Sequence, residues 1–233
     1  QALRTLALSA VMAAGPMAAQ AQALSPAMTE KPQYGGTLNI GMIYVTLAPL
    51  SWDPADWTWK YNQDTGLATE TLFAADLSKS QSRGGKHRFI SDAWLPTDAI
   101  RGELAESWKW SDKPLRVDIN LRKGVMFPER AGVMKSRELV ADDVVFSYNR
   151  LDKSPKKIPT YFDHVEKVEV TGKHSLRFTF KHYFSEWDYR FGWGYYSAIV
   201  PKEVSDAGAG NWKNLNGTGP FMLKEHTRKV RVV

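Results

Sequence analysis

The side chains best suited to acid–base or metal chemistry in this sequence are its five histidines, at positions 87, 164, 174, 182 and 226, and their spacing gives them neither role. No two of them sit at a separation that lets one helix or strand present both to a single ion. His174 and His182 flank an alternating segment eight residues apart, which puts them on one face but about 26 Å from each other at ~3.3 Å per residue. Each reads as a surface histidine. Neither Gly-x-Ser-x-Gly nor His-Glu-x-x-His occurs, so no nucleophile or zinc constellation is offered. Gly84-Gly85-Lys86 imitates a phosphate loop but lacks the earlier glycine and the following Ser or Thr. The carboxylates Asp142 and Asp143 precede a helical pattern and are explained by its exposed N–H groups and dipole. No carboxylate pair is placed for glycoside hydrolysis. The expectation is therefore no catalytic residue, no metal ligand and no cofactor.

The aromatic supply is the other chemical resource: nine tryptophans and 12% aromatic residues overall. Aromatic faces stack on sugars, peptide planes and cations, and they also fill cores. Trp108, Trp110 and Phe127 lie in regular alternating stretches and read as core. Trp57 and Trp59 lie among Pro54, Asp56 and Lys60, a polar irregular segment, and read as free to meet a ligand.

The elements that position these residues follow from periodicity. Leu115, Val117, Ile119 and Leu121 alternate with Arg116, Asp118, Asn120 and Arg122, which predicts a strand with one buried and one wet face. Asp112-Lys113-Pro114 supplies a turn before it, so residues 107–110 pair back as a hairpin, and Lys123-Gly124 supplies one after it. Asp142-Asp143 open a helix whose inner stripe is Val144, Tyr148 and Leu151. Val165, Val168 and Val170, then Leu176, Phe178 and Phe180, predict a second hairpin across residues 171–175, and Leu38, Ile40 and Met42 predict the first strand of the chain. A helix is expected from about Asp64-Thr65, with Leu67, Thr71 and Leu72 inside. Residues 79–96 read as a surface insertion, 203–207 as a short helix, and 217–220 as a sharp turn into a strand carrying Phe221 and Leu223. Six aromatics between Trp187 and Tyr196 are too dense for a free surface.

Composition sets the class. The chain has 233 residues, 43% hydrophobic and 24% charged, with a formal charge of +6 and no cysteine. Disulfides and thiolate metal sites are thereby excluded. The basic residues are scattered among acids, apart from the run from Lys224 to Arg231, and no groove-reading element accompanies them, so nucleic acid is not expected. Arg4, an apolar run from Leu6 to Ala14 and Ala21-Gln22-Ala23 have the order of a secretory signal peptide, with cleavage leaving Leu24 onward.

Six motifs in sequence together resemble the peptide/nickel class (family 5, dipeptide- and oligopeptide-binding type) of periplasmic solute-binding proteins that serve ABC importers. They are G-G-T-L-N-I from Gly35, W-D-P from Trp52, L-A-E-S-W from Leu104, L-R-K-G-V-M-F from Leu121, A-D-D-V-V-F-S-Y from Ala141 and G-T-G-P-F from Gly217. The resemblance implies a mixed α/β, two-lobed periplasmic-binding-protein fold of type II, of which only the first lobe and its associated subdomain are present, as an N-terminal fragment. The expected division is 1–23 signal peptide, 24–50 with 171–233 an incomplete first-lobe sheet domain, and 51–170 an inserted subdomain. By the same resemblance the segment after the W-D-P turn lines the solute cleft, which assigns Trp57, Thr58, Trp59 and Tyr61 to ligand binding. The implied function is capture of a short peptide or similar small solute, as a monomer, for delivery to ABC permease subunits in the inner membrane. A secreted hydrolase or a carbohydrate-binding protein with an aromatic cleft is the alternative.

Overall fold

In a computed structural model of the chain, residues 35–37, 39, 51–57, 65–89, 95–227 and 231–233 are described. The region preceding Leu24, the strand expected at Leu38, Ile40 and Met42, and Thr58, Trp59 and Tyr61 lie outside them. Residues 1–38 and 39–233 form separate units. Of the first, residues 35–37 are irregular, with Gly35 and Gly36 at φ 90° and 92°.

The second unit is organised on a four-stranded antiparallel sheet. Strands β3 (Ala105–Asp112) and β4 (Leu115–Leu121) form the predicted hairpin, β7 (Val165–Gly172) and β8 (Ser175–Phe180) form the other, and the order is β3-β4-β8-β7. Because β4 lies beside β8, Val117 stands opposite both Trp110 and Phe178, and Ile119 opposite both Trp108 and Leu176. These inward positions are closed to solvent: Val117, Leu176 and Phe178 are fully buried. The reverse face carries a cross-strand row of alternating charge, Lys109, Asp118, Arg177 and Glu169, in register. Asp118 accepts from Arg177 Nε at 2.6 Å and from Arg116 Nε at 3.2 Å. Opposite charges placed across strands stabilise the wet face, each pair by roughly 0.2–1 kcal/mol.

Helix α1 (Ala141–Asp152) packs on the inner face, its Tyr148 ring meeting Phe178 edge-on at 5.2 Å. Asp143, not Asp142, does the capping: its Oδ2 accepts from the Val140 N–H at 3.0 Å, while Asp142 is exposed. Two-residue strands β5 (Met126–Phe127) and β6 (Arg137–Glu138) precede α1, and Arg137 ties three elements together. It donates to both oxygens of Asp143 (2.7 and 2.9 Å) and to both of Glu203 (2.7 and 2.8 Å), the latter on helix α2 (Lys202–Gly208). Short β1 (Phe73–Ala75) pairs with β2 (Ile100–Gly102). A π-helical turn, Tyr189–Trp193, lies against β1 so closely that a Cβ on Gly192 would stand 2.3 Å from the Phe73 ring. Only glycine fits there.

Several expectations are corrected. The helix expected from residue 65 does not run on to Leu72: Thr65 is helical, residues 66–68 form a turn, and Leu67 is exposed while Leu72 and Phe73 are buried. Carbonyls freed by that turn explain the change, since Leu67 O accepts from Phe221 N and Ala68 O from Gly219 N, both at 3.1 Å. Residues 221–225 are consequently irregular rather than a strand, and pairing resumes only at β9 (His226–Thr227) with β10 (Arg231–Val232). The second hairpin pairs with β4, and the strand expected at Leu38, Ile40 and Met42 lies outside the described residues. A division between residues 170 and 171 would cut β7 inside one sheet, so the proposed 51–170 and 171–233 domains do not part there. His164 is no surface histidine: it is 3% exposed, between Phe180 and Phe184.

Candidate functional site

Residues 51–57 run outside every sheet, and their sequence explains why. Pro54 has no N–H for a ladder. Asp53 caps a 3-10 turn, Pro54–Asp56, by accepting from Ala55 N at 2.9 Å, and the Asp53 N–H in turn donates to Ser51 Oγ at 3.2 Å. The turn is then clamped from the C-terminal end of α1. Arg150 grips both carboxylate oxygens of Asp53, one at 2.7 Å, Ser154 Oγ donates to Ala55 O at 2.6 Å, and Lys156 pairs with Asp56 at 2.5 Å. Burial pushes the Asp56 carboxyl up, but Lys156, Ser51 and Arg150 outweigh it and leave its pKa below the ordinary carboxylate value. Between the turn and the helix end lies an open groove of about 640 Å³, lined by Asp53, Asp56, Phe146, Asn149, Arg150 and Lys153 among others.

The turn ends on Trp57, whose backbone is left-handed (φ 55°, ψ 36°) and whose N–H donates to Pro54 O at 3.0 Å. Its ring does not lie free in the polar segment as its neighbours in sequence suggested. It is 9% exposed and packs on Tyr161, Tyr196 and Phe162, with centroids 4.9, 4.6 and 5.9 Å away. The local composition is polar, but the turn folds the indole back toward aromatics more than a hundred positions on. Arg190 completes the cluster, its guanidinium carbon 4.3 Å above the Tyr161 ring and 5.3 Å above that of Phe184. Burial pushes the Tyr161 phenol well above its ordinary pKa, and burial followed by the charge of Arg190 pushes His164 down to about 4.

Of the four residues expected to bind ligand, the structure thus describes Trp57 alone. Residue reasoning did not foresee the packing of Trp57 with Tyr161 and Tyr196 or of Arg190 over Tyr161, although the density of aromatics from Trp187 to Tyr196 is a signal for it. Trp108, Trp110 and Phe127 do serve the core: Phe127 is fully buried, Trp108 meets Phe73 at 4.8 Å, and Trp110 lies over Phe180 at 5.2 Å. Glu103 holds the chain beside β1, its Oε2 accepting from Thr71 N and Oγ1, both at 2.9 Å. Among the described residues no group of three or more His, Asp or Glu could hold a metal ion, and no helix is long and apolar enough to cross a membrane.

Comparison with known proteins gives this geometry its setting. Residues 99–233 match the profile of the bacterial extracellular solute-binding proteins, family 5 Middle. Di/tripeptide-binding protein 2 of Pseudomonas aeruginosa is 32% identical over 205 residues, an alignment covering 79% of this chain and 35% of that protein. Among solved structures, the ABC transporter-associated periplasmic binding protein DppA of Helicobacter pylori, in complex with the peptide STSA, superposes with a TM-score of 0.58 at 25% identity, covering 78% of this chain and 36% of its own. The oligopeptide-binding protein AppA of Bacillus subtilis, in complex with a nonapeptide, gives 0.57 at 26% identity, covering 85% and 36%. The chain spans about a third of the length of the relatives it matches.

Proposed function

Because the profile spans more than half of its residues, the chain belongs to the family 5 bacterial extracellular solute-binding proteins, and from that premise we propose that it serves peptide capture for an ABC importer. In this reading the protein is exported by the signal-like segment before Leu24, works outside the cytoplasmic membrane, binds without catalysis and hands its solute to permease subunits. The family's members are binding proteins, and relatives named for di- and tripeptides make short peptides the first solute class to test.

The observation that carries the site assignment is the clamped turn at 51–57. It is held outside every sheet by Pro54 and fixed to α1 through Arg150, so the segment that follows is delivered from a rigid support. Backbone kept out of the sheets by such a turn can pair with a peptide's own amides, and indoles can cover its side chains. Trp57, Thr58, Trp59 and Tyr61 are the ligand-side residues in this reading.

The test is a thermal-shift series on the protein encoded by the complete reading frame, with Ala-Ala and Ala-Ala-Ala. A bound solute at a hundred times Kd adds about 2.7 kcal/mol, which is a rise of several degrees. No rise with peptides at millimolar concentration rejects the peptide reading. Mass spectrometry of exported material tests the leader, and retention of residues 1–23 there rejects it.

A further inference from the structure

The C-terminal half of α1 contributes one row of side chains to the open groove beside the turn at 53–56. Phe146, Asn149 and Lys153 are spaced i, i+3 and i+7, so they fall on one face of the helix, and all three line the groove. Its volume of about 640 Å³ lies within the roughly 300–1,000 Å³ of small-ligand sites.

The row differs from the rest of the groove in what its polar groups have left to offer. Asp53 takes both terminal nitrogens of Arg150, and Asp56 takes Lys156 at 2.5 Å. Ser154 Oγ donates to Ala55 O at 2.6 Å and accepts from the Lys156 N–H at 3.1 Å. Carbonyls at the helix end are occupied as well, Asn149 O by the Lys153 N–H at 3.0 Å and Leu151 O by the Ser154 N–H at 3.2 Å. By contrast, the Asn149 side-chain amide and the Lys153 ammonium have no partner among the described residues. The groove is lined by three cations and two carboxylates, and the two ion pairs leave the positive charge of Lys153 in excess. Beside it the half-buried Phe146 ring and the exposed Pro155 ring supply apolar surface.

A carboxylate on a short apolar stem complements this set. The ammonium meets its charge, the Asn149 amide donates to its second oxygen, and the stem lies on Phe146 and Pro155. We propose that the groove receives the side-chain carboxylate of an acidic residue in the peptide solute. The proposal rests on the reading of this chain as a peptide-capturing protein and adds a preference among peptides. Trp57, the first residue assigned to the solute, follows Asp56 of the groove wall directly, so the groove begins where the ligand segment does. An ion pair that solvent reaches is modest and screened by salt, which sets the expected preference at about fivefold.

The test is calorimetric titration of the protein from the complete reading frame with alanine tripeptides that carry Glu at the first, second or third position, each against its Gln counterpart. At one position at least, the wild type is expected to bind the Glu peptide about fivefold more tightly at low salt, with the margin shrinking as salt is raised. Lys153→Met keeps the stem and removes the charge, and is expected to erase the margin while affinity for the Gln peptide stays within about twofold. Lys153→Arg is expected to keep it. Equal binding of Glu and Gln peptides at all three positions, or a margin that survives Lys153→Met, overturns the acidic subsite and leaves peptide capture standing. If no tripeptide binds the wild type, peptide capture itself fails and the subsite with it. Lys153 is exposed, so both ligand-free variants are expected to melt within a few degrees of wild type.

Discussion

The sheet of residues 105–180 and the cluster around Trp57 are built from the same aromatic and charged residue types, and they differ in whether those residues are satisfied. On the sheet, Phe178 is stacked at 3.9 Å on Phe191 and edge-on to Tyr148, and the outward charges are paired in register. Around Trp57 the rings pack as densely, yet two left-handed backbones border the cluster and the Trp57 indole N–H has no hydrogen-bond partner. A region whose local preferences all agree is built for stability, and one that breaks several rules in a small volume is the place to look for function. The contrast predicts that substitutions in the first region act on folding and those in the second on binding.

The largest effect should come from the sheet. Phe178→Ala removes a fully buried ring between Phe191 and Tyr148 and leaves a cavity. Such truncations cost about 3–5 kcal/mol. Chemical denaturation should show that loss, and a loss below 1 kcal/mol would mean the sheet is not the stabilising centre.

Next in size is a dependence on pH. His164 sits against the sheet edge with its pKa pushed down to about 4, by burial first and by Arg190 second, from an ordinary 6.5. A depressed pKa means that the unfolded chain binds the proton more tightly. The contribution is therefore fully present above about pH 6.5 and lost as pH falls through 6.5 toward 4. At ~1.4 kcal/mol per unit this is on the order of 3 kcal/mol. His164→Phe should flatten the stability profile between pH 6.5 and 4, and an unchanged slope would place the pH dependence elsewhere.

Smaller again is the Arg137 junction. Its partner Asp143 has a side chain only 5% exposed, whereas Glu203 is 35% exposed and Arg137 itself 32%. Arg137→Ala strands the Asp143 charge, but solvent reaches the other two groups, so the buried-pair cost is discounted to about 2 kcal/mol. Arg137→Ala should lower denaturant stability by that amount and leave peptide affinity unchanged. A change in affinity with unchanged stability would move the junction from the stable region to the functional one.

The same division decides what was legible in the sequence. The two hairpins and α1 could be read because their cause is local: Leu115 to Leu121 alternates, Asp142-Asp143 mark a helix start, and each pattern needs only its own neighbours. Family resemblance rested on the same local motifs. The burial of Trp57 could not be read because its cause is not local. Pro54 and Asp56 do form an irregular polar turn, but Tyr161 and Tyr196, which bury the ring, are more than a hundred residues away. The Leu67 turn failed for a similar reason, since residues 219–221 compete for its carbonyls. Gly219 permits that approach: a Cβ there would stand 2.6 Å from Leu67 O.

The smallest expected effect on stability is the sharpest discriminator between the two regions. Tyr161→Phe deletes one oxygen from a side chain that is 5% exposed, and that oxygen makes no well-formed hydrogen bond, only a contact with the Arg190 guanidinium. Were Tyr161 an ordinary satisfied core residue, loss of its hydroxyl would cost the usual ~1 kcal/mol of a hydrogen bond. With no bond to lose, the variant instead escapes the penalty of burying a polar group unpaired, and the ring contacts with Trp57, Phe162 and Tyr196 are kept. The ligand-free protein should therefore be unchanged or more stable by up to about 1 kcal/mol. A gain in stability joined to a loss of peptide affinity marks a group retained for binding at the expense of folding. If Tyr161→Phe destabilises the ligand-free protein by 1 kcal/mol or more, the hydroxyl has a structural partner, and the distinction between the satisfied sheet and the unsatisfied cluster fails at its central residue.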